Sequence, residues 1–242
     1  MFEFLTKYRI VTKTFIDELT QTIENLTTLT AKLVQDINKL TYTSPKQEYY
    51  NNKYPKENIT YARVDRGNTI NIDVRQFLNK NNFTLPKFIG LDDEITLKCL
   101  DYVRTNIIYT PDKTQFGLNE YWSFGYETFQ LKKGDCEDGA ILLYDILRYN
   151  NIPAWKIRVT AGNVKNSYTG VKEGHCYIIY YCEIKDKWVS LDWCYYPNWI
   201  KIEDRVDYKE EVFYDNVWFS FNEDYSWSKG LNSDSKRFLN NI

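Results

Sequence analysis

Lys133-Gly134-Asp135-Cys136-Glu137-Asp138-Gly139-Ala140 runs into Ile141-Leu142-Leu143-Tyr144-Asp145-Ile146-Leu147, an apolar stretch at helical spacing. It predicts a helix from Cys136 to about Tyr149, stopped by the turn Asn150-Asn151-Ile152-Pro153. The only histidine lies downstream in Gly174-His175-Cys176-Tyr177-Ile178-Ile179-Tyr180-Tyr181, which reads as a strand entering a sheet. Residues 155–160, 176–184 and 188–192 read as three strands, the last two joined by Lys185-Asp186-Lys187. A helix followed by an antiparallel sheet is an α+β arrangement.

Three residues of this segment suit acyl-transfer chemistry. Cys136 in a helix's first turn would sit near unsatisfied N–H groups and the positive end of the dipole, which favour thiolate. His175 would act as its base, and Asp192, closing the next strand, would accept the other imidazole N–H and fix the tautomer. Asp135 can cap the helix, with Asp138 in a capping-box-like relation, although both anions oppose thiolate formation. Each residue also has a structural reading: a small buried thiol, a structural histidine, a strand-capping aspartate. A zinc site is disfavoured, because His175 and Cys176 are adjacent on a strand and point to opposite faces.

The surrounding composition sets limits. With 242 residues, 43% hydrophobic and 26% charged, the chain fits a soluble protein with a packed core. A formal charge of −2 excludes nucleic-acid or anionic-membrane binding by charge alone. The aromatic residues concentrated between Tyr102 and Trp227 can build a core or line a groove for an extended chain. Cys99, Cys136, Cys176, Cys182 and Cys194 are odd in number and contain no Cys-x-x-Cys pair, so free thiols in a reducing compartment such as the cytoplasm are expected. No signal peptide is read in Met1-Phe2-Glu3-Phe4-Leu5-Thr6-Lys7, and no stretch is apolar for long enough to cross a bilayer.

Residues 1–44 form one long helical pattern. Ile16, Leu19, Ile23, Leu26, Leu33, Ile37 and Leu40 follow heptad steps, with Thr30 in the one polar place. The stripe predicts either a coiled coil, making a homo-oligomer or docking a partner, or an amphipathic helix lying on the rest of the protein. Residues 45–90 read as an extended arm or linker, aperiodic to Asn58, with a short strand at 69–74. Asp92 or Asp93 can cap a helix running to about Asn106.

These residues together resemble a known family. Tyr121-Trp122-Ser123-Phe124-Gly125-Tyr126-Glu127-Thr128-Phe129, the Gly-Asp-Cys-Glu-Asp motif around Cys136, Gly174-His175 and Ser190-Leu191-Asp192 look like the transglutaminase-like superfamily, closest to its bacterial cysteine peptidases. The resemblance covers roughly 91–193 and implies a papain-like core, a nucleophile helix packed on an antiparallel sheet, within a catalytic domain at 91–242. It implies Cys136 as nucleophile, His175 as general base and acid and Asp192 as orienter, acting on a peptide or protein. The oxyanion would be held by the backbone N–H of Cys136 with Trp122 or Gln130 as second donor. One departure is visible, since the peptidase branch tends to have proline before its glutamate where this chain has Gly125-Tyr126-Glu127. No cofactor is required by such a triad. In one peptidase branch, acidic residues beside the cysteine hold calcium, and Asp135 and Glu137 match them; helix capping and solvation is the alternative reading.

Water as acceptor makes such a protein a peptidase or amidase, an amine makes it a transglutaminase, and deamidation is a third outcome. A catalytically silent structural or binding domain in a larger assembly such as a virion is the reading of a different class.

Overall fold

The computed structural model describes residues 2–40, 45–78, 83–166, 169–195 and 200–228, with side chains of the first helix described over 13–34. The chain divides into two compact units, Met1–Ser44 and Pro45–Ile242. The first is a single helix, α1, Phe2–Leu40. Its heptad residues Ile16, Leu19, Ile23, Leu26 and Leu33 are all exposed, while the side chains of Ile37 and Leu40 lie outside the described residues.

The second unit begins with α2, Pro45–Asn52, where the sequence suggests an aperiodic arm. Tertiary packing overrides the weak local signal: Tyr50 is buried against Trp155, Tyr181 and Trp188, with ring centroids 6.1, 5.0 and 5.3 Å away. Strands β1 (Thr60–Asp65) and β2 (Asn68–Asp73) then form a two-stranded hairpin separate from the main sheet. The strand expected at 69–74 is β2.

Helix α3 spans Asp92–Asn106, and its N-cap is Leu91, whose N–H is met by the Glu94 carboxylate at 3.3 Å. The acids expected to cap it are tertiary ties instead. Asp92 pairs with Lys156 at 2.8 Å, and Asp93 accepts the Tyr180 hydroxyl at 2.7 Å. Next come β3 (Ile108–Tyr109), α4 (Asp112–Gln115), α5 (Gly125–Leu131), β4 (Lys133–Gly134) and α6 (Cys136–Tyr149). Strands β3 and β4 pair in parallel, fixing the approach to α6.

The main sheet holds β5 (Ile157–Lys165), β6 (Lys172–Cys182), β7 (Lys187–Leu191), β8 (Tyr214–Phe221) and β9 (Ser226–Ser228). Its order is β7-β6-β5-β8-β9, antiparallel throughout, so β8 and β9, absent from the sequence reading, complete the sheet beside β5. Period-two alternation gives it two buried faces. Val159, Cys176, Ile178, Tyr180, Val189 and Leu191 share one core with Ile141, Leu142 and Ile146 of α6. Tyr177, Ile179, Tyr181, Trp188, Tyr214 and Trp227 form a second, aromatic core that also takes in Tyr50. Arg158 is buried on this side, its guanidinium 3.9 Å from the Trp227 ring and donating to the Tyr50 carbonyl at 2.8 Å. Burial lowers its pKa to about 10.

Candidate active site

Cys136 opens α6, as the spacing predicts. Asp135 occupies the N-cap position without a side-chain cap bond, and the expected capping box does not form. Asp138 is drawn inward, fully buried, and its Oδ1 accepts the Ser123 N–H at 2.7 Å. The loop that supplies Ser123 is itself clamped. Buried Arg63 of β1 donates to both Glu127 oxygens, at 3.0 and 2.8 Å, and to the Trp122 carbonyl at 3.2 Å. Glu127 in turn accepts the Phe124 N–H at 2.7 Å. This ion pair holds the segment where the peptidase pattern has a proline.

Trp193 couples the helix to the segment after β7 that carries Asp192. Its indole N–H donates to the Cys136 carbonyl at 3.1 Å. The ring lies over Gly139, one turn along α6, where a Cβ would meet Trp193 Cε2 at 2.1 Å. Only glycine permits that approach.

His175 and Asp192 form a buried pair, with Nε2 2.6 Å from Oδ2. Asp192 Oδ2 also accepts the Tyr214 hydroxyl at 2.9 Å, and Oδ1 accepts the N–H groups of Cys194 and Tyr195 at 3.1 and 3.0 Å. Burial pushes the Asp192 carboxyl up, but the His175 charge and these donors outweigh it and hold the group below its ordinary value. The imidazole stacks on Tyr177 at a centroid separation of 5.9 Å and meets the tilted ring of Tyr195 at 5.2 Å. On β5, Gly162 sits opposite His175, and a Cβ there would meet the Asn216 carbonyl oxygen at 2.2 Å. Tyr214, Tyr195 and Trp193 are absent from the sequence reading; their aromatic rings carry no signal that separates them from the core.

The thiol has different company. Cys136 Sγ donates to Glu137 Oε2 at 3.2 Å, and no hydrogen bond joins it to His175 among the described residues. Burial first, then the charges of Glu137 and Asp135 among its neighbours, push the Cys136 thiol well above its ordinary pKa. Glu137 is raised by burial and by the charges of Asp135 and Asp138, and Asp138 by burial and then Asp135. Asp112 is pushed up to about 7, again by burial and then Asp135. Of the two expected oxyanion donors, Trp122 is buried with its indole N–H on Glu120 at 2.9 Å, and Gln130 is exposed on α5.

These carboxylates suit a hard cation. Donor atoms of Asp135, Cys136 and Glu137 lie within 4.8 Å of one another, as do those of Asp112, Asp135 and Asp138. One oxygen on each acid, Asp112 Oδ1, Asp135 Oδ1, Glu137 Oε1 and Asp138 Oδ2, is buried without a hydrogen-bond partner. Calcium takes several carboxylate oxygens and would meet orphaned acceptors of this kind. Asp135 belongs to both groups, so Asp112 and Asp138 form a second set that overlaps the first at that residue. In the sequence Asp138 reads as a helix-capping residue, and nothing there singles out Asp112.

The helix headed by Cys136 packs on an antiparallel sheet that carries His175 on β6, with Asp192 directly after β7. Residues 91–193 match the family model of the transglutaminase-like superfamily. Among solved structures, Legionella pneumophila LapG is 21% identical, over 62% of this chain and 74% of that one, with a TM-score of 0.44. Calcium-bound LapG is 19% identical, over 61% and 78%, with a TM-score of 0.44. A Cytophaga hutchinsonii protein provisionally assigned as a cysteine protease is 19% identical, over 46% of this chain and 34% of that one, with a TM-score of 0.35. No curated protein matches the chain. No helix among the described residues is long and apolar enough to cross a membrane.

Proposed function

We propose that this protein is a thiol-dependent acyl-transfer enzyme that hydrolyses an amide of a peptide or protein substrate. The observation that carries the reading is the buried 2.6 Å bond between the sole imidazole and Asp192, in the same superfamily core as a helix headed by Cys136. With Nε2 held by Asp192, Nδ1 is the nitrogen left to take the thiol proton. Sγ then attacks the amide carbonyl, and the developing oxyanion is met by the first-turn N–H of Cys136. A second donor from Trp122 or Gln130 requires that side chain to turn from its present position. The imidazolium gives its proton to the departing amine, leaving a thioester on Cys136. Water, deprotonated by His175, attacks the thioester and releases the acid, restoring the thiol.

Calcium fits the acidic cluster, where Asp112, Asp135 and Asp138 would hold it, with Glu137 in the overlapping set that shares Asp135. Bound there, it would supply positive charge that offsets the carboxylates opposing thiolate at Cys136. The protein's own contribution is separate: Asp192 orients the imidazole, and the Trp193 indole keeps helix and strand in register.

The test is alkylation by iodoacetamide at mildly acidic pH with calcium present, read by peptide mapping, beside turnover of amide substrates. Cys136 should label faster than Cys99, Cys176, Cys182 and Cys194, and Cys136→Ala should abolish turnover with the melting temperature kept. Uniform slow labelling, or turnover surviving in Cys136→Ala, overturns the proposal. Amine incorporation in place of hydrolysis would make the acceptor an amine and the enzyme a transglutaminase.

A further inference from the structure

Helix α1 carries an apolar stripe that the proposed chemistry does not use. Setting Ile16 at heptad position a places Ile16, Ile23 and Thr30 at a, and Leu19, Leu26 and Leu33 at d. The isoleucines and leucines among them are 51–59% exposed. The flanking g positions are Phe15, Thr22 and Leu29, and the e positions are Thr20, Thr27 and Val34. Across Phe15 to Val34 no charge falls at a, d, e or g; Asp17, Glu18, Glu24 and Lys32 all lie at b or c.

The threonines decide whether this stripe can be buried. Thr20, Thr22, Thr27 and Thr30 donate their hydroxyls to the carbonyls four residues back, at 2.8, 2.8, 2.7 and 2.8 Å. Each hydroxyl is satisfied by its own helix, so covering the stripe strands no donor. Threonine is also a poor helix former, and a helix this rich in it is stabilised chiefly by packing.

We propose that the stripe is the seam of a parallel two-stranded coiled coil with a second copy of this chain. β-Branched residues at a with leucine at d is the combination that favours two strands in parallel. Neutral e and g positions leave nothing to repel an identical helix and nothing to select a charged one. In-register pairing sets Thr30 against Thr30 of the second copy, keeping the one polar layer to itself.

The full-length chain should show by light scattering, at tens of micromolar, twice its 29.0 kDa mass. Leu26→Glu buries a carboxylate in the seam and should weaken self-association on the order of 100-fold, returning the mass to one chain. Glu24→Lys, on the outer face, should stay dimeric. In the parallel arrangement, g22 of one helix faces e27 of the other, so Thr22→Glu with Thr27→Lys should associate more tightly than either single variant. A monomeric parent chain, a mass of three or more copies, or a Leu26→Glu protein that remains dimeric overturns the proposal. A double variant weaker than both singles overturns the parallel arrangement.

Discussion

The surroundings of Asp192 and of Cys136, the two ends of the proposed triad, are built on opposite principles. Around Asp192 every oxygen has partners: an imidazole, a tyrosine hydroxyl and two backbone N–H groups. Around Cys136 lie four acids, each with a buried oxygen unmet, and the thiol donates a hydrogen bond to Glu137. A satisfied network is rigid, and it fixes the imidazole before any ligand arrives. An unsatisfied acidic cluster holds its thiol neutral, and its state changes with whatever neutralises it. The Asp192 half is therefore finished on folding, while the Cys136 half is left responsive.

Apart from removal of the thiol itself, breaking the finished half should cost most. Asp192→Asn keeps the shape but favours the wrong tautomer, and should lower kcat/KM by about 10³-fold while slowing alkylation of Cys136. A loss under threefold would show that Asp192 is not the orienter. The responsive half should answer to cations. Chelation, or Asp138→Asn at limiting calcium, should slow Cys136 alkylation by roughly tenfold, equivalent to about 1.4 kcal/mol on the thiolate. Equal rates in chelator and in millimolar calcium would remove the cation from the account.

Tyr214→Phe isolates one hydrogen bond of the finished half. A loss of roughly 3- to 10-fold in kcat with KM unchanged is expected, as for one net hydrogen bond. An unchanged kcat would leave Tyr214 a packing residue only. The smallest effect is on stability. The Asp112 carboxyl, raised to about 7 by burial, favours the fold while protonated. Its contribution is complete below the unfolded value near ~4 and is lost as pH rises through the folded one. In chelator the melting temperature should fall by roughly 5 °C between pH 5 and 8, and calcium should flatten that slope. A melting temperature that rises over this range in chelator would contradict the reading.

The helix at Cys136, the strand entered at His175 and the strand ended by Asp192 were legible because their apolar spacing is regular and motif residues mark their ends. What escaped was set by partners distant in sequence. Helix α2 exists because Tyr50 finds Trp155, Tyr181 and Trp188, and nothing local in Tyr49-Tyr50-Asn51-Asn52 announces it. Asp92 and Asp93 look like caps, yet Lys156 and Tyr180 lie across the core from them in sequence and claim them. Arg63 was indistinguishable from any polar residue of an alternating strand until Glu127 was placed beside it. The acids beside Cys136 suggested a cation, but Asp112 joins them only through the tertiary fold.

Tyr50 also bears on how this protein can be cut. Its carbonyl is a hydrogen-bond acceptor for buried Arg158, and its ring closes the aromatic side of the sheet. Expression trimmed to 91–193 would discard α2 together with β8, the strand on one flank of β5. Such a fragment would leave a guanidinium and several tryptophans bare, and insoluble product is the outcome to plan for. The shorter boundary worth ordering from a gene-synthesis house starts at Pro45.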